Sequence, residues 1–345
     1  MTDKNRGFFG VEREAWQKAI TLGLNPAVAY LVLARFTAAD QRTSPAGVNA
    51  IERYTGISRP RARAAIDALI EAGLAREIAR NGPKHFDIGI RPKPAPDPDV
   101  VERQDLIWLP NEIVTGAGRE TAPVELIRQC QDGAIFELFV ALYDQQNMAD
   151  ESGVSRKFLW QNYDRERVFE YGQYVIFRFT PGNIMSSPAS PLAAPFLKNF
   201  SSPQYIKAAW EKFWAALRVL QKLGLLFFVC HLVESDMPDA EIMFPCDAAG
   251  LPAEAAIAAA ADRAARSLAA NRIRADSRQI VPVLAHMGAV QAVGIARLTY
   301  RARTRNELAW AARAEKWQEI AEQFAAIDGE VVAFPTGQNV LKKTA

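Results

Sequence analysis

Cysteine is scarce. Cys130, Cys230 and Cys246 are the only three in 345 residues, too few and too unevenly spaced for a disulfide framework, and an odd count fits a reducing compartment. Cytoplasm is therefore the expected location. Histidine is as rare: His85, His231 and His286 stand singly in apolar or turn contexts. Cys230-His231 with Cys246 falls short of the four ligands that tetrahedral zinc needs, and adjacent residues on a strand point to opposite faces. The chain has no GxxxxGK[ST] run and no GxGxxG after a strand pattern, so neither phosphate-cradling motif is present. Tyr163, Tyr171 and Tyr174 have no histidines beside them of the kind a phosphodiester-attacking tyrosine works with, and read as core aromatics. No catalytic residue, metal or cofactor is expected.

Long uncharged apolar runs are also missing, which speaks against a membrane span, and the opening MTDKNRGFFGVEREAW carries acids where a signal peptide would be apolar. The longest apolar run, LGLLFFVCHLV, reads as a buried strand. Charge of one sign is lacking too. Lys and Arg number 41 against 39 Asp and Glu, a net charge of +2, so a nucleic-acid surface can only come from local clustering. What is plentiful is apolar residue, 49% of the chain, enough for two or three globular domains.

Local clustering of arginine occurs between Ser44 and Ile90. Ser44 and Pro45 suit the start of a helix whose buried side carries Val48 and Ile51. Thr55-Gly56-Ile57 reads as a turn, in which Gly56 supplies backbone freedom and Ile57 plugs the core, and Ser58 suits the cap of the next helix. Along that helix Ala62, Ala65, Ile66, Leu69 and Ile70 recur at helical spacing and face inward. Arg59, Arg61, Arg63 and Asp67 are left for the solvent side or its margins. Gly73 ends the helix, and LAREIAR and HFDIGI then alternate about Asn81-Gly82-Pro83-Lys84, a hairpin signal.

From Pro26 to Ile90 this order resembles the winged-helix-turn-helix superfamily. The resemblance implies that the helix after Ser58 enters the major groove of double-stranded DNA, with Ser58, Arg59, Arg61 and Arg63 as contacts, while Arg76, Arg80 and Lys84 of the wing touch the backbone.

Around it, residues 1–25 read as an N-terminal arm and a short helix whose Phe8, Phe9 and Trp16 dock on the first domain, and RPKPAPDPDVVERQ, within residues 91–105, as a proline-rich linker. Residues 106–246 are expected to form a second winged helix with an insertion, because FWAALRVLQKLGLLFFVCHL repeats the plan of RAAIDALIEAGLAREIAR. Its reading helix starts either at Ser155, where SGVSRKFL echoes TGISRPRA and offers Arg156 and Lys157, or after Pro203 with Lys207, Lys212 and Arg218. Residues 247–345 are expected to be a helical extension. In it Trp310, Trp317, Ile320 and Phe324 form a stripe that fits either a homodimer interface or the chain's own second domain. The expected fold class is thus mainly α with small β-wings, as tandem winged-helix domains. The expected function is operator binding in transcription by a homodimer. A plasmid or phage replication initiator, similar in its tandem layout, and a winged-helix protein-interaction module are the alternatives.

Overall fold

The computed structural model describes residues 7–38, 40–78, 84–89, 105–118, 120–197, 203–269, 272–273, 279–301, 309–310 and 312–329. The chain divides into two compact units: residues 1–144, 192–225 and 299–303 form the first, and residues 145–191, 226–298 and 304–345 the second.

In the first unit, the segment expected as an arm and a short helix is strand β1 (Phe8–Glu12) followed by helix α1 (Arg13–Thr21). Helix α2 (Leu24–Arg35) is buried at every position from Ala27 to Ala34. A helix apolar on all sides belongs inside, and α1, α4 and β1 pack around it. Next come β2 (Thr43–Ser44), α3 (Val48–Thr55), α4 (Arg59–Glu71), β3 (Arg76–Ile78) and β4 (His85–Asp87). The strands form a small antiparallel sheet in the order β2-β4-β3. Ser44 is not a helix cap: it pairs with Phe86 in this sheet, and α3 starts only after extended Gly47. Strand β5 (Leu106–Pro110), beyond the proline-rich stretch, pairs antiparallel with β1, so the two sides of that stretch share one unit. Helices α5 (Glu112–Thr115), α6 (Pro123–Gln129), α7 (Gly133–Asp144), α8 (Ala194–Leu197) and α9 (Pro203–Lys222) complete the unit.

The second unit is built on a curled sheet. After the short pair β6 (Gln146–Asn147) and β7 (Gly153–Val154) come β8 (Leu159–Tyr171), β9 (Tyr174–Ser186), β10 (Leu226–Val233), β11 (Ile242–Pro245), helix α10 (Pro252–Ala269), β12 (Ile280–Leu284), β13 (Gln291–Leu298) and helix α11 (Ala314–Asp328). Six strands pair antiparallel throughout in the order β11-β10-β13-β8-β9-β12. Helix α10 touches both edge strands, β11 and β12, as well as β8. Its buried face is Ile257 and alanines such as Ala260, Ala261, Ala264 and Ala265, whose small side chains let backbones come close in the concave space.

This sheet corrects the mainly α expectation. Of the described residues, 46% are helical and 26% are in strands, an α+β mixture. It also replaces the second winged helix. No helix starts at Ser155, which lies in a turn between β7 and β8, and the strands after α9 join β13 and the rest of the sheet instead of folding back as a wing. The shared Gly-Leu pattern is a helix stop. Gly73 at φ +74 and Gly224 at φ +69 each let the following leucine N–H close on a carbonyl five residues back, Leu74 on Leu69 at 2.8 Å and Leu225 on Leu220 at 2.9 Å. The C-terminal hundred residues are not simply helical, since they supply β12 and β13.

Trp310, Trp317 and Phe324 are at most 6% exposed in the core of the second unit, with Ile320 packed against them. The stripe covers the chain's own second domain and leaves no dimer contact to assign to it. A chain ending near Thr304 is expected to lose the fold of this unit. Limited proteolysis should then cut the β8–β9 hairpin at protease levels that spare the full chain. Equal protection of the two chains would mean that the stripe is dispensable to the core.

Candidate nucleic-acid interface

The turn between α3 and α4 is held from both sides. Thr55 Oγ1 donates to the Ile51 carbonyl at 2.5 Å and accepts the Ile57 N–H at 3.2 Å. Gly56, at φ +65, closes α3 through an N–H bond to the Glu52 carbonyl at 3.0 Å. A β-carbon there would be strained in the left-handed region and would press on Arg128 and Glu125 of α6 at 3.2 Å. Arg128 Nε in turn donates to the Thr55 carbonyl at 2.6 Å, so α6 braces the turn. Ile57 is buried at the junction of the helices.

Helix α4 has thirteen residues and a Pro in its first turn. Ala62, Ala65, Ile66 and Leu69 are buried, and α4 packs on α2 and α3. Ile70, expected inward, is 37% exposed at the rim. At roughly 100° per residue, the solvent face carries Pro60, Ala64 and Asp67 along its centre, with Arg59 and Arg63 on one flank and Arg61 on the other. Arg59 Nε pairs with Glu52 at 2.8 Å, which pushes its guanidinium pKa further up. Among the described residues no ion pair holds Arg61 or Arg63. Ser58 is exposed and extended, and its hydroxyl makes no capping bond. Arg53 of α3, which periodicity alone did not single out, is also exposed, over the ring of Tyr54.

On the β3–β4 hairpin, Arg76 reaches Asp87 at 3.2 Å and Lys84 reaches Glu77 at 2.8 Å. Both cations are exposed, at 67% and 71%; the Lys84–Glu77 pair, open on both sides, is of the kind worth about 0–1 kcal/mol, whereas Asp87 is 14% exposed and also holds Arg42. A phosphate oxygen competes with Glu77 for Lys84 at little loss. Arg80 falls outside the described residues.

No known family, curated protein or solved structure matches this chain.

The remaining expected contact residues do not join this face of α4. Arg156 is a structural cation of the second unit: its side chain is 13% exposed, pairs with buried Glu151 at 3.3 Å and donates to the Ala240 carbonyl. Lys157 is exposed in the turn before β8. Lys207, Lys212 and Arg218 are exposed on α9, interleaved with Glu211.

The second unit also holds a buried polar network that sequence reading missed. Arg297 of β13 and Glu254 of α10 form a bidentate pair at 2.5 and 2.6 Å, both at most 1% exposed. The Trp310 indole N–H donates to the same carboxylate at 2.9 Å, and the Leu251 N–H does so at 2.5 Å. Glu254 is thus the third residue of α10 reaching back to the helix start, half of a capping box. His231 Nδ1 lies 2.8 Å from the Val229 carbonyl and Nε2 lies 3.2 Å from Arg297 Nη2. With Nδ1 as donor, the neutral ring accepts from Arg297. Sealed from solvent, this network holds the sheet to α10 and presents nothing to a ligand. The signals for it were Pro252 and Glu254 at a helix start and Arg297 inside the otherwise apolar run AVGIARL.

Proposed function

We propose that this chain is a winged-helix protein that binds duplex DNA with α4 and acts on transcription by occupying an operator. The observation that carries the proposal is the arginine-flanked solvent face of α4, opposite a fully buried face. A thirteen-residue helix is about 20 Å long, and the major groove, about 12 Å wide, admits a helix. With Ala64 and Asp67 turned to the floor of the groove, the flanking arginines reach either its phosphate walls or the N7 and O6 of guanine. Asp67 there accepts from a cytosine amino group, and Ala64 leaves room for a thymine methyl. Lys84 on the hairpin meets a neighbouring phosphate. The initiator alternative rested on a tandem layout, and the six-stranded sheet takes that layout away.

Two variants separate reading from gripping, in competition binding of selected and scrambled duplexes. Lys84→Ala is expected to weaken both duplexes by a similar few-fold factor, because a phosphate contact carries no sequence information. Asp67→Ala is expected to relax discrimination at one cytosine position by about 5- to 160-fold, the equivalent of 1–3 kcal/mol, while affinity for scrambled DNA holds or rises. A selective loss with Lys84→Ala and a uniform one with Asp67→Ala would reverse these roles.

A further inference from the structure

Outside this interface, the second unit brings two thiols together. Cys230 lies in β10 and Cys246 directly follows edge strand β11. His231 pairs with Pro245 in the antiparallel register, so the next pair along is Cys230 with Cys246, and the Cys246 N–H donates to the Cys230 carbonyl at 2.9 Å. Facing residues at such a hydrogen-bonded position have Cα atoms about 5.5 Å apart, within the range a disulfide spans. Their sulfurs are 3.0 Å apart, 0% and 5% exposed, and both are free thiols. His231 takes the opposite face of the strand, and among the described residues no cluster of three His, Cys, Asp or Glu ligands forms around the pair to favour metal binding.

We infer that Cys230 and Cys246 are a redox modification site, oxidised by a small-molecule disulfide to a cross-strand bond that staples edge strand β11 to β10. The step balances. The Cys246 thiolate attacks one sulfur of the reagent and displaces a thiolate. The Cys230 thiolate then attacks Sγ of Cys246 and displaces the second. Two protein thiols and one disulfide give one protein disulfide and two small thiols. Burial pushes the Cys230 thiol well above its ordinary range, which disfavours its thiolate and leaves the first step to Cys246 at the sheet margin, while the 3.0 Å between the sulfurs lets Cys230 complete the second. Exposed Cys130, in the first unit, is an internal comparator with no partner thiol near it among the described residues.

The full chain is equilibrated in a series of reduced and oxidised glutathione mixtures, both as folded protein and after refolding from urea in the same mixtures. Alkylation and peptide mass spectrometry then assign each cysteine. The expected result is a Cys230–Cys246 linkage, by both routes, at mixtures more reducing than those that convert Cys130 to its glutathione adduct. The oxidised chain should also unfold at a temperature higher by on the order of 5–10 °C, a gain that Cys246→Ser abolishes. Recovery of Cys230 and Cys246 as free thiols or separate glutathione adducts, in refolded protein whose Cys130 is fully modified, would overturn the inference. So would a linkage that appears only at the mixtures that modify Cys130.

Discussion

Replacing Arg59, Arg61 and Arg63 together with alanine is expected to reduce affinity for a selected duplex by at least about 100-fold at moderate salt, and to flatten its salt dependence by as much as three units of slope. Each arginine that neutralises a phosphate releases counterions worth roughly 0.9 unit of slope, and each that grips guanine in bidentate fashion contributes about 1–3 kcal/mol of discrimination. The slope therefore partitions the three. A fall near three units makes all of them phosphate grips, and a smaller fall with lost sequence preference assigns the balance to bases. The fold should be unaffected, since all three side chains are exposed and the buried face of α4 is unchanged. Fluorescence anisotropy across a salt series is the measurement. Unchanged affinity and slope, with the thermal transition intact, would remove this face from the account.

A comparably large effect is expected on stability in the second unit. Glu254→Ala leaves Arg297 buried without its carboxylate, and Arg297→Ala leaves Glu254 buried without its cation. Each is expected to cost about 3–5 kcal/mol, because an uncompensated charge inside is far worse than none. Removing both together, as Glu254→Met with Arg297→Leu, is expected to cost less than either alanine variant. Urea unfolding checks this, and a double variant that loses the sum of the singles would contradict it.

The same network gives acid sensitivity with a definite sign. Burial alone pushes the Glu254 carboxyl up, but the bidentate Arg297 guanidinium outweighs it and holds it well below the ordinary value of 4.5. Its contribution is therefore present above the unfolded value and is lost as pH falls below about 4.5. Burial, with the charge of Arg297 adding to it and Glu254 opposing, holds His231 below its ordinary value of 6.5. Below about pH 6.5 the unfolded chain takes up a proton that the folded chain refuses, so this contribution also fades on acidification. Stability of the second unit should decline in two stages, the first near pH 6 and absent in His231→Phe. A stability that rises on acidification between pH 7 and 4 would contradict the assignment.

The first unit was the more legible because its signals are local. Helical spacing of Ala62, Ala65, Ile66 and Leu69, a left-handed glycine at position 56 and a stop at Gly73 each act within a few residues, and each sits where the sequence placed it. The sheet of the second unit depends on distant pairing. Strand β8 contains Asn162 and the run Asp164 to Arg167, whose exposed polar residues give no alternating apolar stripe, and its partners β9 and β13 lie up to about 130 positions away. The echo between SGVSRKFL and TGISRPRA misled for the same reason. Arg156 answers to Glu151 and, 84 positions on, to the Ala240 carbonyl, a contact that a local match cannot show. On α4 the burial pattern separated inward from outward residues, while the division of the arginines between two flanks emerged only with the helix bounds.

The central claim is that α4 reads duplex DNA, and selection from a random duplex pool, run in parallel on the full chain and on the Arg59, Arg61 and Arg63 triple alanine variant, tests it most directly. The account predicts that the full chain enriches a shared motif containing guanine and that the variant enriches none. Enrichment of the same motif by both proteins, or of none by either, would contradict it.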